Sequence, residues 1–542
     1  MALENNIQEL VKTIDQEALA YDYVFISLGI PDVKAQVRLF KNRRYLDRDI
    51  NKFCQKFREK VGKFPQWIKV DIVTETESVL FDDIAETLVQ TRRNYVDFGV
   101  ALDKNWYLTF LPEEINANAF VRPRKGTKEF YLSEENVNNY MKKYTSHRRK
   151  FSIAAYKGKM VTKFYTQGFI FDGEGVYKLH SKGYQKNLRI VEDLNVEMDR
   201  LIGHSTSFLE GMLQENGRYI YGYFPHFDNT INFYNMLRHS SSTYSLIEGL
   251  SYLNKDLAPA ERAIEYVIDN YIATDETGAK FVFDDTENIN EIKLGQNAAF
   301  IFTVCEYLKH GGQNKHYLKH AQGVAEGILK MINPDTGETV HILNYPDFKM
   351  KEKFRIVYYD GEAALGLLRL YQQDNDTRWL KTVQTLFEHF IKNDYWKYHD
   401  HWLGYCTNEL VQVVPEEKYF RFGINNVSSY LDYMKQRETT FPTFLEMLMA
   451  TYHLVEKAKT SGYQHLVDEL LDEEKFLDTI HTRADYERTG FFYPEIAMYF
   501  KKPSRILNSF FIKHHGYRVR IDDIEHYLSG YVQYQHVFKK AE

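Results

Sequence analysis

The stretch "VYYDGEAALGLLRLYQQ", Val357 to Gln373, is followed after two residues by "DTRWLKTVQTLFEHFI", Asp376 to Ile391. The first segment opens with polar and small residues and then turns apolar on nearly every side. A helix of that kind must be buried all round. The second carries one apolar stripe and a charged opposite face, the pattern of a helix that covers a core from outside. Together they predict a hairpin of one inner and one outer helix.

The same transition recurs. "LRHSSSTYSLIEGLSYL" from Leu237, "IKLGQNAAFIFTVCEYL" from Ile292, "RETTFPTFLEMLMATYHL" from Arg437 and "VRIDDIEHYLSGYVQYQ" from Val519 align with the Val357 segment, and "GYCTNELVQVVPEEKYF" from Gly404 is a weaker sixth copy. Between them lie one-stripe helices such as "APAERAIEYVIDNYI", "NKHYLKHAQGVAEGILKMI" and "YQHLVDELLDEEKFLDTI". Six alternations of the two kinds suit a double ring of helices, six inside and six outside.

On this pattern, residues 191–542 resemble the (α/α)6 barrels of six-hairpin glycosidases and N-acylglucosamine 2-epimerase-like enzymes. The resemblance implies a mainly α fold and a substrate site at the mouth lined by the first turns of the inner helices. Ahead of the ring, residues 1–130 read as a smaller α/β or α+β domain, with "YDYVFISLG" and "QWIKVDIVTETESV" as strands and "LDRDINKFCQKFREKVG" as a helix closing on glycine. Residues 131–190 read as a β-rich connecting segment. In it "DGEG", Asp172 to Gly175, is a hairpin turn and not a phosphate loop.

The balance of 69 Lys+Arg against 75 Asp+Glu, a net charge of -6, is well mixed along the chain and argues against nucleic acid as a partner. Three scattered cysteines suit a reducing compartment. The amino terminus lacks a signal-peptide pattern, and no apolar run approaches the roughly 20 residues needed to cross a bilayer. The expectation is a cytoplasmic protein without a membrane span. With 41 Tyr and 37 Phe the chain has many rings suited to stacking on sugars, although compositional bias explains the same numbers.

Helix amino termini offer free N–H groups and partial positive charge, which suit hydroxyl-rich or anionic ligands. The predicted rim contains Tyr234, Asn235, Arg238, His239 and Glu248, then Gln296 and Asn297, then Tyr358, Tyr359, Asp360 and Glu362. Later segments add Tyr405, Asn408, Glu409, Glu438, Arg520, Asp522, Asp523, Glu525 and His526. Glu362, Asp522, Asp523, Glu248 and His239 are the candidates for catalysis, and Tyr234, Asn235, Arg238, Gln296, Asn297, Tyr359, Asp360, Tyr405, Glu409, Arg520 and His526 for binding. Asp360, Asp522 and Asp523 serve equally well as helix caps, and Glu248 as half of a structural ion pair.

A hydrolase needs one protonated carboxyl and a second carboxylate across the scissile bond. An epimerase or lyase needs a base such as His239 or His526, with Arg238 or Arg520 holding an anion. "WKYHDHW", with His399, Asp400 and His401, reads as a loop and not as a metal site, and no metal or other cofactor is expected. The expected function is a carbohydrate-active enzyme acting on an oligosaccharide or cell-surface polysaccharide precursor. The alternative is a non-catalytic glycan-binding or scaffold protein that meets a protein partner through its amino-terminal domain.

Overall fold

A computed structural model describes residues 2–286 and 289–539. The chain divides into two compact units. The first comprises Met1–Asp193, Tyr223–Thr230 and Arg488–Val519, and the second Leu194–Gly222, Ile231–Glu487 and Arg520–Glu542.

The first unit is built on an antiparallel sheet of strands β1 (Tyr23–Ile30), β2 (Val33–Lys41), β3 (Trp67–Leu80), β4 (Gly99–Ala101), β5 (Thr109–Phe110), β6 (Met160–Phe171) and β7 (Val176–Lys178). Their order is β2-β1-β3-β6-β4-β5, with β7 added to β6. Helices Ala2–Asp15 and Leu46–Val61 place Ile7, Leu10, Phe53 and Phe57 in one core with Val24, Ile68, Val70 and Phe169. All observed pairings are antiparallel, so the α+β reading holds and a parallel α/β arrangement does not.

The segment 131–190 is no connector. Its strand β6 lies at the centre of the sheet, between β3 and β4. The Asp172 turn does join β6 to β7, with Phe171 opposite Val176. Residues 488–519, expected within the ring, belong to the first unit. Buried Arg189 explains part of this, since it pairs at 2.8 Å with both Asp172 and Glu495. A buried guanidinium needs such paired carboxylates to be tolerated at all.

The second unit contains twelve helices that form six hairpins among the described residues: α1 (Leu194–Met212), α2 (Met236–Tyr252), α3 (Ala258–Asn270), α4 (Leu294–Lys309), α5 (His316–Leu329), α6 (Tyr358–Asp374), α7 (Thr377–Lys392), α8 (His401–Val413), α9 (Glu417–Ser428), α10 (Thr443–Thr460), α11 (Glu473–Glu487) and α12 (Ile521–Phe538). The even-numbered helices pack side by side in the cycle α2-α4-α6-α8-α10-α12 and back to α2, while the odd-numbered ones pack outside them. This closed cycle is the expected (α/α)6 ring.

Burial follows the two textures. In α4 every residue from Leu294 to Tyr307 is buried, whereas α7 buries only Trp379, Val383, Leu386, Phe387 and Phe390, spaced three and four apart. Truncating a fully buried ring such as Phe387 to alanine costs about 3–5 kcal/mol. Gly366 sets the spacing of α4 and α6, because a Cβ there would press to 3.2 Å on Ala298 Cα. The predicted outer helix "YQHLVDELLDEEKFLDTI" is broken at Leu471, which is extended between helices Gln464–Leu470 and α11.

Candidate active site

Asp400 caps α8 by accepting the Trp402 and Leu403 amides, so His401 is the first residue of an inner helix and not part of a loop. Its ring meets that of His526, from the second turn of α12, edge-on at 5.2 Å. Helices α8 and α12 are not neighbours in the cycle, so this contact crosses the interior. Phe302 of α4 stacks on Trp402 at 5.1 Å in the same way.

His526 Nδ1 lies 2.8 Å from Glu446 Oε2, and the other Glu446 oxygen accepts the Tyr405 hydroxyl at 3.0 Å. Tyr405 in turn accepts from Gln533 of α12. Burial by itself would lower the His526 pKa, but the charges of Glu446 and Glu525 outweigh it and raise it to about 10. His526 is therefore an imidazolium at neutral pH. His401 has its Nδ1 3.4 Å from Asp400, and its buried Nε2 has no hydrogen-bond partner among the described residues.

Two carboxyls lie close to this pair. Burial, then the charges of Asp400 and Glu525, lift Glu362 well above the usual carboxylate range, so it is a neutral acid. Its Oε2 has no partner among the described residues and sits so close to Gly295 that a Cβ there would displace it. Glu525 accepts the Ser241 hydroxyl at 2.6 Å and leaves Oε1 unpartnered among the described residues. Burial raises its pKa, His526 pulls it back, and it settles at about 8. Gln296 is buried with neither amide atom bonded among the described residues. Orphan buried polar atoms normally cost about 1–3 kcal/mol each, so their gathering near the amino-terminal ends of the inner helices makes this the candidate site.

Asp522 and Asp523, expected as catalytic acids, are tied to arginines. Asp522 Oδ2 sits 2.9 Å from Arg238 Nε and 2.8 Å from Arg520 Nη2, which also reaches Asp523 at 3.1 Å. Arg238 donates to the Tyr221 hydroxyl at 2.6 Å as well. These side chains form a braced rim.

Other expected residues lie outside the cluster. His239 has Nδ1 2.8 Å from the Tyr234 hydroxyl and Nε2 2.8 Å from the Ala263 carbonyl, and burial lowers its pKa to about 4. It is a neutral ring wedged against α3, with no nitrogen left for catalysis. Tyr234 also accepts the Tyr219 amide, and Asn235 caps α2 by accepting the Arg238 amide at 2.9 Å. Asn297 bonds Val282 and Lys293 backbone atoms, Tyr359 packs against His341, and Asp360 accepts Thr339 and His341. Glu248 and Glu409 occupy the opposite end of the inner helices, where Glu248 accepts Tyr244 and Ser529 and Glu409 binds Arg369.

Sequence reasoning missed His401 and Glu446. The cap Asp400 was the available signal for His401, because the sixth copy was aligned at Gly404, nearly one turn too late. Glu446 carries no signal of its own inside "FPTFLEMLMA".

One donor atom each from His401, Glu446 and His526 lie within 4.8 Å of one another, a set that suits a divalent ion. In this arrangement, however, the His526 Nδ1–H is directed at Glu446, which suits proton transfer.

No family model and no curated protein matches the chain. Among solved structures, it is similar to the cellobiose 2-epimerase of Bacillus thermoamylovorans B4167, with 12% identity over 63% of this chain and 99% of that one at a TM-score of 0.47. A D-mannose isomerase matches with 12% identity over 63% and 98% at 0.47, and a GH76 alpha-mannanase of Bacteroides thetaiotaomicron with 13% over 64% and 100% at 0.42. The six-hairpin ring stands on its own helix contacts, and its chemistry is to be read from the side chains inside it.

Proposed function

We propose that the ring houses a carbohydrate-active enzyme that moves a proton at the carbon next to a sugar carbonyl, in the manner of an epimerase or isomerase. The observation that carries this reading is the His401–His526 pair across the ring, one imidazole with a free nitrogen and the other held protonated by Glu446. His401 Nε2 takes the proton from the carbon, the C–H electron pair becomes the enediol double bond, and His526 Nε2 gives its proton to the carbonyl oxygen. Reversal from the other face, or at the neighbouring carbon, completes an epimerisation or an isomerisation. Neutral Glu362 supplies an acid for opening a cyclic sugar. Arg238 and Arg520 bind hydroxyl or anionic groups at the rim.

The test is incubation of reducing mono- and disaccharides in D2O, followed by NMR. Solvent deuterium at the carbon beside the carbonyl, lost in His401→Ala, supports the proposal. Release of shorter sugars without such exchange would favour the second reading, hydrolysis with Glu362 as proton donor, which the neutral state of that carboxyl favours. Sugar binding with neither outcome would make the protein a glycan-binding one.

A further inference from the structure

The first unit contains a cavity of about 160 Å³ whose walls include Lys34, Lys143 and Lys501 and, among the described residues, no acidic side chain. A cavity of roughly 150 Å³ is large enough to take up a molecule the size of benzene. Here Lys143, Tyr144, Phe227 and Lys501 are exposed, so one side faces solvent and an occupant can extend beyond the walls.

Lys34 is the buried cation of the set, 9% exposed. Its ammonium donates to Asn118 Oδ1 and otherwise lies over the rings of Tyr140 and Tyr144, 5.4 and 4.7 Å from their centroids. The carboxyl that acts on it electrostatically is Glu114, whose two oxygens are taken by the Tyr140 hydroxyl and the Leu111 amide. Burial draws the Lys34 pKa down to about 7 against the pull of Glu114. Lys501 donates to the Phe227 carbonyl at 3.0 Å, and Lys143 has no acceptor among the described residues. His226 bonds the Asn116 carbonyl through Nε2. Burial, with Arg93, Lys34 and Arg122 nearby, lowers its pKa to about 3, so it is neutral and brings no charge of its own. Three ammonium groups thus converge where the wall residues supply no counterion, a costly arrangement for the buried one.

We propose that this cavity binds a phosphate monoester of a sugar, with the phosphate among the three ammonium groups and the sugar against the rings of Tyr144 and Phe227. Such a phosphate carries nearly two negative charges and three acceptor oxygens, which answer three cations more fully than the single charge of a carboxylate. Lysines bind phosphate as point charges, and the carbon face of a sugar suits exposed aromatic rings.

The test is calorimetric titration of the full chain with α-glucose 1-phosphate. Its anomeric carbon is locked in the ester, so the proposed ring chemistry does not consume it. Inorganic phosphate and methyl glucuronide are the companion probes. The expected result is binding of the ester at least about tenfold tighter than either companion. Lys34→Met should weaken it at least about tenfold, the loss of one charge-assisted hydrogen bond. The double variant Lys143→Gln, Lys501→Gln changes only exposed positions; it should weaken binding in the same direction and guards against misfolding of the buried variant. No binding to the wild type overturns the proposal, as does binding that survives both variants, which would place the ester at the arginine rim of the ring. Inorganic phosphate binding as tightly as the ester, or the glucuronide doing so, overturns the assignment to a sugar phosphate.

Discussion

The two ends of the inner helices treat buried charge in opposite ways. At the carboxyl-terminal end, Arg369 donates through Nε and Nη2 to Glu409 and through Nη1 to Glu306, and Glu306 also binds Lys309 and His310. Glu248 there accepts two hydroxyls. At the amino-terminal end, Glu362 Oε2, Glu525 Oε1, His401 Nε2 and both Gln296 amide atoms have no partner among the described residues. Buried charge is thus present at both ends, and the carboxyls and histidine among it with unmet hydrogen-bonding capacity lie at the amino-terminal one.

The contrast breaks most sharply in activity. His401→Ala or His526→Ala should lower turnover by about 10²–10⁴-fold, the range for general acid–base groups, while thermal unfolding barely moves. Glu446→Gln should act in the same direction and shift the alkaline limb of the pH–rate profile downward, since Glu446 keeps His526 charged to about pH 10. Turnover unchanged in both histidine variants would remove the proposed chemistry.

The opposite end should show the reverse. Arg369→Met leaves the Glu306 and Glu409 carboxylates without their shared arginine and should cost about 3–5 kcal/mol in urea unfolding, with turnover per folded molecule retained. His239→Phe should also cost stability, about 1–3 kcal/mol from the unmet Ala263 carbonyl and Tyr234 hydroxyl, and leave turnover intact. If His239→Phe instead abolishes turnover with stability unchanged, the wedge role assigned to it is wrong.

A smaller effect sharpens the rim itself. Glu525 has its pKa raised from 4.5 to about 8 on folding, so its neutral form favours the folded state. That contribution is complete below about pH 4.5 and is lost as pH rises through about 8. Glu525→Gln should flatten the decline in stability across this window, as measured by unfolding at a series of pH values. Smallest of all, a chelator should leave turnover unchanged; loss restored by one divalent metal would reassign His401, Glu446 and His526 as its ligands.

The ring was legible because burial all round and burial on one stripe are properties of a linear pattern. The predicted inner segments beginning at Leu237, Ile292, Val357, Gly404, Arg437 and Val519 meet helices that begin at Met236, Leu294, Tyr358, His401, Thr443 and Ile521. The first unit was less so, because strand β6 joins the sheet through pairings with β3 and β4 that lie far away in the chain.

The alternation of helix textures by itself determined the six hairpins, and polar first turns pointed to the end at which the unpartnered buried carboxyls lie. Only the tertiary structure decided which polar residue faces inward. Successive helix positions differ by about 100°, so the rotation of each helix about its axis decides which of two neighbours faces inward. Gln296 leaves its amide unpartnered among the described residues while adjacent Asn297 bonds the Val282 backbone; His401 enters the interior while His239 turns toward α3. That rotation is set by packing between helices, which no single segment of the chain encodes.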